Sequence, residues 1–334
     1  MVHFKIEFSF SLFGKRNKRE SVVDNKVKKD EAAETKAWNL IAKMADEAKV
    51  QGRYKTAYNY LTAARSFTRF MQRDDWTFAE VTSDETERYQ RWLTQQGVCM
   101  NTVSCYMRSL RTIYNKVVEN GLAEDRRPFR RVFTGKEQTH KRTAVEVDLQ
   151  QLAALPLAAD SALAFARDLF LFGFFAMGMP FVDMAFLRKS QLKDGKFRYA
   201  RHKTGQEIEV AVEPCMMEII DRYKDKSTGY VFPIITEKDA AGMHRQYESQ
   251  LRLYNMRLAR LSNLIGASIP LTSYVVRHTW ASMAYKYQMD IGLISKALGH
   301  TKTSTTMVYI KHLFDPQLAA ANHGLLEQVK VGTE

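Results

Sequence analysis

A basic segment that contains helix breakers divides this chain of 334 residues into two parts. Residues 126–142 include seven lysines and arginines but one acidic residue, and they also contain Pro128 and Gly135. Proline lacks the backbone N–H that a helix interior needs, and glycine is a poor helix former. A chain of this length can form two domains, each with its own core. We therefore predict four segments: a basic N-terminal tail (1–30), a helical domain (31–125), a flexible basic linker (126–143) and a second domain with a C-terminal tail (144–334).

Apolar residues between positions 35 and 120 recur at the spacing of amphipathic helices, and we expect four of them. The third is bounded by a capping box at Thr82 and Glu85 and by Gly97 as a C-terminal stop. The fourth carries one apolar stripe, made by Val103, Tyr106, Leu110, Ile113 and Val117. Four helices with short connections form a small helical bundle.

The second part combines helices with one hairpin. Residues 196–212 alternate like the two strands of a β-hairpin, with Thr204 and Gly205 at the turn. The predicted helices cover residues 145–155, 161–175, 214–223 and 244–265. The second of these is apolar enough to be buried. The fold class is therefore mostly α with a small β-sheet.

Composition narrows the range of partners. The net charge of +13 suits a polyanionic partner such as nucleic acid. The three cysteines are odd in number and lack C-x-x-C spacing. This usage predicts reduced thiols in a cytoplasmic protein, without a disulfide or a metal site, and we expect no cofactor. The longest uncharged apolar run has 14 residues, whereas a bilayer helix needs about 20.

Residues 271–309 contain side chains suited to phosphate chemistry. Arg277 is followed by the turn Leu298-Gly-His300, and Tyr309 comes nine residues after that histidine. A guanidinium can clamp a phosphate through two parallel hydrogen bonds, and an imidazole can donate a further bond to it. A phenol can attack the phosphorus and hold it covalently. The stretch therefore indicates phosphoryl transfer through a tyrosine.

This pattern resembles the tyrosine recombinase family, also called the phage integrase family, which reads H/Y-x-x-R, then L-G-H, then Y. Here the motifs read Tyr274-Val-Val-Arg277, Leu298-Gly-His300 and Tyr309. The resemblance implies a SAM-like helical core-binding domain and an α+β catalytic domain that grip opposite faces of a DNA duplex. It also implies site-specific recombination (integration, excision or inversion) through a 3′-phosphotyrosine, without metal or nucleotide.

The resemblance implies a role for each matching residue. Tyr309 would be the nucleophile, with Arg277 and His300 stabilising the charge that develops on the phosphate. Lys203, near the tip of the hairpin, would protonate the departing 5′-oxygen. Tyr274 would add a hydrogen bond, since a phenol is a poor base near neutral pH. The base that deprotonates the nucleophile stays open.

One position departs from the family pattern. A subgroup reads R-G-M-S-F-V-D where this chain reads Met177-Gly-Met-Pro-Phe-Val-Asp183, so Met177 replaces the first catalytic arginine. A thioether carries no charge and donates no hydrogen bond. Loss of one preorganised oxyanion donor typically costs about 10²–10³ in rate. Asp183 matches the carboxylate that orients the missing arginine, and a helix-surface aspartate is the alternative.

Met177 leaves three outcomes open. A nearby cation replaces the arginine, the enzyme is slow, or the chain is a catalytically impaired DNA-binding protein on the recombinase scaffold. The cations in question are Arg167, Arg188, Arg198 and Arg201. A relaxing topoisomerase of the same chemistry, which would act as a monomer, is a further alternative.

Double-stranded DNA is the expected partner. The basic residues that are candidates for phosphate contacts, with plain solvation as the alternative, are Arg65, Arg108, Arg111, Lys116, Arg130, Arg131, Lys141 and Arg142. The resemblance implies a homotetramer on two DNA sites, joined by the C-terminal tail, although a tail folded back on its own domain is the alternative. Accessory DNA-bending and directionality proteins are further candidate partners. Such a protein would be cytoplasmic and associated with the nucleoid.

Overall fold

The computed structural model describes residues 36–137, 143–227 and 229–310. The predicted N-terminal tail, the C-terminal tail and the candidate DNA contacts Lys141 and Arg142 lie outside these residues. The chain divides into two compact units, residues 1–139 and 140–334. Within the described ranges, no helix is both long enough and apolar enough to cross a membrane.

The first unit is a helical bundle, which confirms the predicted fold. Its helices are α1 (Ala37–Val50), α2 (Tyr54–Met71), α3 (Ser83–Gln95) and α4 (Met100–Glu119), with a 3₁₀ turn at Phe78–Glu80. α2 packs against the other three helices. Phe67 lies at the centre of the core, and its ring centroid is 4.9 Å from those of Trp76 and Tyr89. The predicted N-cap of α3 is present, because Oγ1 of Thr82 accepts a hydrogen bond from the Glu85 amide at 3.2 Å.

The segment that follows α4 differs from the flexible linker predicted over residues 126–143. Phe129 and Val132 are buried in the core of the helical unit, with 4% and 7% exposed. Oγ1 of Thr86 donates to the Pro128 carbonyl at 2.7 Å, which ties the segment to α3. The proline and glycine prevent a helix but leave two apolar side chains that pack on the bundle. Residues 126–137 therefore belong to the first unit.

The second unit contains eight described helices and one small sheet. The helices are α5 (Glu146–Ala154), α6 (Ala162–Phe175), α7 (Phe181–Ala185), α8 (Pro214–Tyr223), α9 (Ala240–Leu264), α10 (Val275–Lys286), α11 (Ile291–Ala297) and α12 (Thr303–Ile310). The strands are β1 (Leu192–Lys193), β2 (Lys196–Ala200) and β3 (Glu207–Ala211), antiparallel in the order β1-β2-β3.

Helix α6 lies at the centre of this unit and packs against α5, α7, α8, α9 and α10. It is apolar on almost every side because it has neighbours on almost every side. The predicted hairpin is also present, with Phe197 opposite Val210 and Tyr199 opposite Ile208. These four side chains are buried, while the alternate positions of both strands are exposed, apart from Lys196, which is half-buried. The mostly helical fold with a small sheet is therefore confirmed. Strand β1 and the helices α7, α10, α11 and α12 were not among the predicted elements.

Truncation of Phe129 tests the packing of the segment after α4. We expect Phe129→Ala to lower the free energy of unfolding of the first unit by about 3 kcal/mol, because it opens a cavity in the core. Arg130→Ala, an exposed neighbour, should change it by less than about 0.5 kcal/mol. Chemical denaturation of the full chain measures both. If both variants change the free energy of unfolding by equally small amounts, the segment does not pack on the bundle.

Candidate active site

Arg277 lies in the first turn of α10, which packs against the central helix α6. The residue is buried, with 2% exposed. Its Nη1 donates to the Gly178 carbonyl at 3.1 Å. Its Nη2 donates to the Leu298 carbonyl and also lies 3.3 Å from Nε2 of His300. Two backbone carbonyls therefore hold the guanidinium beside the imidazole.

The L-G-H motif forms the C-terminal cap of α11. Gly299 has a φ of +60°, the left-handed conformation that favours glycine. Its amide donates to the Lys296 carbonyl at 2.9 Å, and the amide of His300 donates to the Ser295 carbonyl at 3.0 Å. These two bonds form a Schellman motif, which ends the helix and fixes the direction in which His300 leaves it.

The hairpin packs directly against this cap. A Cβ atom at Gly299 would lie 2.7 Å from Cδ1 of Ile208 and 3.1 Å from Cδ of Arg201, so this close approach and the positive φ both favour glycine. Arg201 follows β2 and is buried, with 8% exposed. Its Nη1 donates to the Leu298 carbonyl at 2.8 Å and to the Gly299 carbonyl at 3.2 Å. Arg201 and Arg277 therefore share the carbonyl oxygen of Leu298.

The contacts of His300 define its protonation state. Nε2 faces Arg277, and a guanidinium can only donate, so Nε2 accepts. The ring proton is then on Nδ1, which lies 2.9 Å from Oγ1 of the buried Thr306. Burial, together with the charges of Arg277, Arg201 and Lys203, lowers the pKa of His300 to about 4. The imidazole is therefore neutral at pH 7, with an acceptor nitrogen in the site.

The hairpin turn carries Lys203 and contacts Asp183 through the His202 amide. Lys203 is exposed in the turn between β2 and β3. Asp183 lies in α7 and is 5% exposed, which rules out the helix-surface alternative. Its Oδ1 accepts a hydrogen bond from the His202 amide at 2.9 Å, and its Oδ2 lies 3.9 Å from Nε of Arg201. Burial raises the pKa of this carboxyl. Asp183 thus supports the turn and the arginine on it.

Met177 lies in the loop between α6 and α7. Its side chain packs against the apolar core of the second unit, and its φ of +55° is unusual for a residue with a Cβ. A Cβ at the next residue, Gly178, would lie 3.1 Å from Cα of Arg277, so the loop runs close against α10. This loop gives Arg277 a carbonyl acceptor, but it brings no charge to the site.

The four arginines that could replace the missing one differ in their surroundings. Arg201 lies in the site, bonded to the same carbonyl as Arg277. The other three contact partners outside it: Arg167 pairs with Asp168, Arg188 lies over the ring of Tyr230, and Arg198 pairs with Glu209.

The two predicted tyrosines lie at opposite ends of the motif. Tyr274 precedes α10, is 56% exposed, and its ring meets the ring of His278 edge-on at 4.5 Å. Tyr309 belongs to α12, which packs against α10 and α11, but its side chain lies outside the described residues. It follows Thr306, the partner of His300, by three positions, which is about one helical turn. Its role as nucleophile stays a prediction.

Basic candidates for DNA contact line the first unit. Arg108 and Arg111 are exposed one turn apart on α4, and Arg65 is exposed on α2, 5.9 Å from the ring of Trp38. Lys116 is half-buried, Arg130 is exposed, and Arg131 lies 3.6 Å from a carboxylate oxygen of Glu87. The adjacent pair on α4 is the most accessible basic feature of this helix.

Sequence reasoning missed two contributions to this site. Thr306 gave no signal, because a threonine in a short helix has many uses. Arg201 appeared only as one of four cations, although the alternation of β2 could have singled it out. Phe197 and Tyr199 are buried on one side of the strand, and the period of two puts Arg201 on that same side.

Comparison with known proteins gives two family matches. Residues 38–132 match the phage integrase SAM-like domain, and residues 148–315 match the phage integrase family. Tyrosine recombinase XerC of Bacillus pumilus (strain SAFR-032) is 23% identical over 270 residues, which cover 76% of this chain and 85% of that protein.

Solved structures share the fold at low sequence identity. A lambda integrase dimer bound to a COC′ core site has a TM-score of 0.61 at 15% identity, with 90% of this chain and 84% of that chain covered. A lambda integrase tetramer bound to a Holliday junction has a TM-score of 0.58 at 16% identity, with 85% and 80% covered. Both similarities concern the fold alone.

Substitution of Gly299 tests the contact between the hairpin and the helix cap. Gly299→Ala should lower the free energy of unfolding by about 3 kcal/mol, because backbone strain adds to overpacking against Ile208. Gly205→Ala is a matched control, since its φ is also positive at +67° but nothing lies within 4 Å of the added Cβ. It should cost about 1 kcal/mol. Equal losses in urea denaturation would contradict the contact.

The protonation of His300 predicts how stability depends on pH. In the unfolded chain a histidine has a pKa of about 6.5, but in the folded chain His300 has a pKa of about 4. Between these values the unfolded state binds more protons, so the free energy of unfolding must fall as the pH falls. His300→Asn should reduce this dependence in urea titrations between about pH 6.5 and 4. Identical pH profiles for the two proteins would show that the folded imidazole is not shielded.

Proposed function

The chain belongs to the phage integrase family of tyrosine recombinases, and on this premise we propose that it cuts and rejoins duplex DNA at specific sites through a 3′-phosphotyrosine. One observation carries the proposal: Nη2 of Arg277 and Nε2 of His300 lie 3.3 Å apart beside the hairpin turn that bears Lys203. The helix of Tyr309 packs against α10 and α11, next to this pair.

Arg277 binds the scissile phosphate. A buried guanidinium interacts with an anion more strongly than an exposed one, because little water screens the charge. Its position is set by two carbonyls before DNA arrives, so little reorganisation is needed when charge develops on the phosphorus. The exposed phenol of Tyr274 adds a hydrogen bond to a phosphate oxygen.

Cleavage is an exchange of one phosphate ester for another. The Tyr309 oxygen forms a bond to phosphorus as the bond from phosphorus to the 5′-oxygen breaks. Lys203 gives a proton to that 5′-oxygen, since an alkoxide is a poor leaving group. The product is a 3′-phosphotyrosine and a free 5′-hydroxyl. Attack by a 5′-hydroxyl from a partner strand reverses these steps and seals the DNA without an external energy source.

The proton of the Tyr309 hydroxyl passes to Nε2 of His300. This nitrogen is an acceptor in the neutral ring. Because it has a single lone pair, it takes the proton after Nη2 of Arg277 has turned from it to the bound phosphate. The pKa of His300 is about 4 because burial and three cations oppose its charged form. A bound phosphate opposes the effect of those cations and raises the pKa towards its ordinary value. The protonated imidazole then donates to the phosphate as its charge increases.

DNA binding and multimerisation follow from the same premise. The net charge of +13 supplies long-range attraction for a duplex. Arg108 and Arg111 form an exposed basic pair on α4 that suits contact with phosphates. Since lambda integrase, which has this fold, has been solved as a tetramer on a Holliday junction, we extend that assembly to a homotetramer of this chain on two DNA sites, assisted by accessory DNA-bending or directionality proteins.

A nicked suicide duplex tests the proposed chemistry. Its sequence is taken from the ends of the element that flanks the gene, and the nick lets the 5′-hydroxyl fragment diffuse away. Wild-type protein should form an adduct with DNA that survives denaturant, and Tyr309→Phe should form none, because it lacks the attacking oxygen.

Tyr287→Phe is the matched control. This tyrosine follows α10 at its C-terminal end and bonds to Glu146, away from Arg277. Its adduct yield should equal that of the wild type. An adduct from Tyr309→Phe in wild-type amount would refute the assignment of the nucleophile. DNA binding without any adduct from the wild type would favour a catalytically impaired binding protein.

A further inference from the structure

The hairpin arginine Arg201 lies where a second phosphate-binding cation is needed. We propose that Arg201 is a catalytic residue that supplies the second guanidinium of the phosphate clamp, in place of the arginine that Met177 has replaced. This inference rests on the proposed function, because it concerns the same phosphate. It means that the chain has a functional phosphate clamp, built from the hairpin and α10, although Met177 replaces the usual arginine.

The geometry brings the two guanidiniums to one point. Nη1 of Arg201 lies 2.8 Å from the Leu298 oxygen, and Nη2 of Arg277 donates to the same oxygen. Two donors on one acceptor lie within roughly 6 Å of each other. A phosphate beside this carbonyl can therefore accept hydrogen bonds from both side chains. Strand β2 and helix α10 hold them from two different directions.

The charges around Arg201 are unbalanced in favour of an anion. Arg201, Arg277 and Lys203 are cations in or beside the site, and Asp183 is the one carboxylate that approaches Arg201 among the described residues. The distance from Nε of Arg201 to Oδ2 of Asp183 is 3.9 Å, too long for a hydrogen bond. A phosphate would supply the charge that is missing here.

Arg201 also has donor groups to offer. Its Nε is buried and has no hydrogen-bond partner among the described residues. Its Nη1 donates to the carbonyls of Leu298 and Gly299. A buried donor without an acceptor is costly and therefore rare in native proteins. A hydrogen bond to a phosphate oxygen would satisfy Nε.

The loop at Met177 supplies no phosphate-binding cation, so the second one has to come from the hairpin. The Met177 side chain packs against the core, and the Gly178 carbonyl is already bound to Arg277. The carboxylate that the family resemblance assigned to the missing arginine, Asp183, contacts the hairpin instead, through the His202 amide. The carboxylate that would support a second cation is thus present, but it lies beside Arg201.

Substrate charge separates a catalytic role from a structural one. Cleavage rates of full-length wild type and Arg201→Ala are compared on two nicked duplexes, one with a normal scissile phosphate and one with an uncharged methylphosphonate there. A guanidinium that stabilises phosphate charge matters for the first duplex and little for the second. We expect Arg201→Ala to lose about 10²–10³ in rate on phosphate, and to lose far less on methylphosphonate.

Three further variants complete the test. Arg277→Ala should show the same dependence on substrate charge, because it belongs to the same clamp. Arg198→Ala should cleave at the wild-type rate, since that exposed arginine of β2 pairs with Glu209. If Arg201→Ala does not fold, Arg201→Lys keeps the charge but places its donors on a single nitrogen. Its loss of rate should be smaller, and again larger on the phosphate duplex than on the methylphosphonate duplex.

Each outcome decides a different claim. If folded Arg201→Ala cleaves the phosphate duplex at a rate within about threefold of the wild type, the loss is much smaller than expected. This result would overturn the role of Arg201 alone. An equal loss on both duplexes would overturn it as well, since it would reduce Arg201 to a structural contact. No adduct from the wild type on either duplex would overturn the proposed function itself.

Discussion

The backbone carbonyl of Leu298 is the acceptor on which the charged residues of the second unit converge. Helix α11 ends here, and the last carbonyls of a helix have no partner within it. Because Leu298 is fully buried, water cannot satisfy this group, and an unpaired buried carbonyl would be costly. Arg201 and Arg277 supply the missing donors. The requirement to satisfy a helix end thus also positions two cations.

This arrangement couples stability to function. Two buried guanidiniums repel each other, and the dipoles of the carbonyls and the charge of Asp183 offset only part of that repulsion. Burial and the remaining positive charge together lower the pKa of His300 and keep it neutral in the free protein. The same positive charge attracts a phosphate. The site is therefore electrostatically incomplete until DNA binds. Such preorganised charge is what a reaction that builds negative charge on phosphorus needs.

Much of the framework could be predicted because it depends on local pattern. The apolar character of α6 and the alternation around Phe197 and Tyr199 each predicted an element that the structure contains. The N-cap at Thr82 also follows from a local rule. The proximity of Arg277 and His300 came from the spacing of a family motif, since no periodicity connects positions 23 residues apart.

The remainder could not be predicted because it depends on contacts between distant parts of the chain. Composition alone suggested that residues 126–143 form a loose linker, yet the burial of Phe129 depends on a groove that only the folded bundle provides. Arg201 bonds to a carbonyl 97 residues away, and the residues next to it in the sequence give no signal of that partner. Asp183 matches the family carboxylate that orients the arginine missing at position 177, but in this fold it contacts the hairpin instead.

The most direct measurement is a structure of the Tyr309→Phe variant bound to an uncleaved duplex that carries its site. We predict one scissile phosphate beside the Leu298 carbonyl, with nitrogens of both Arg201 and Arg277 within about 3.2 Å of its non-bridging oxygens. A phosphate bound by Arg277 and a cation from another element, with Arg201 still turned to the carbonyls, would contradict the shared clamp. A phosphate bound away from Leu298 would contradict the site as a whole.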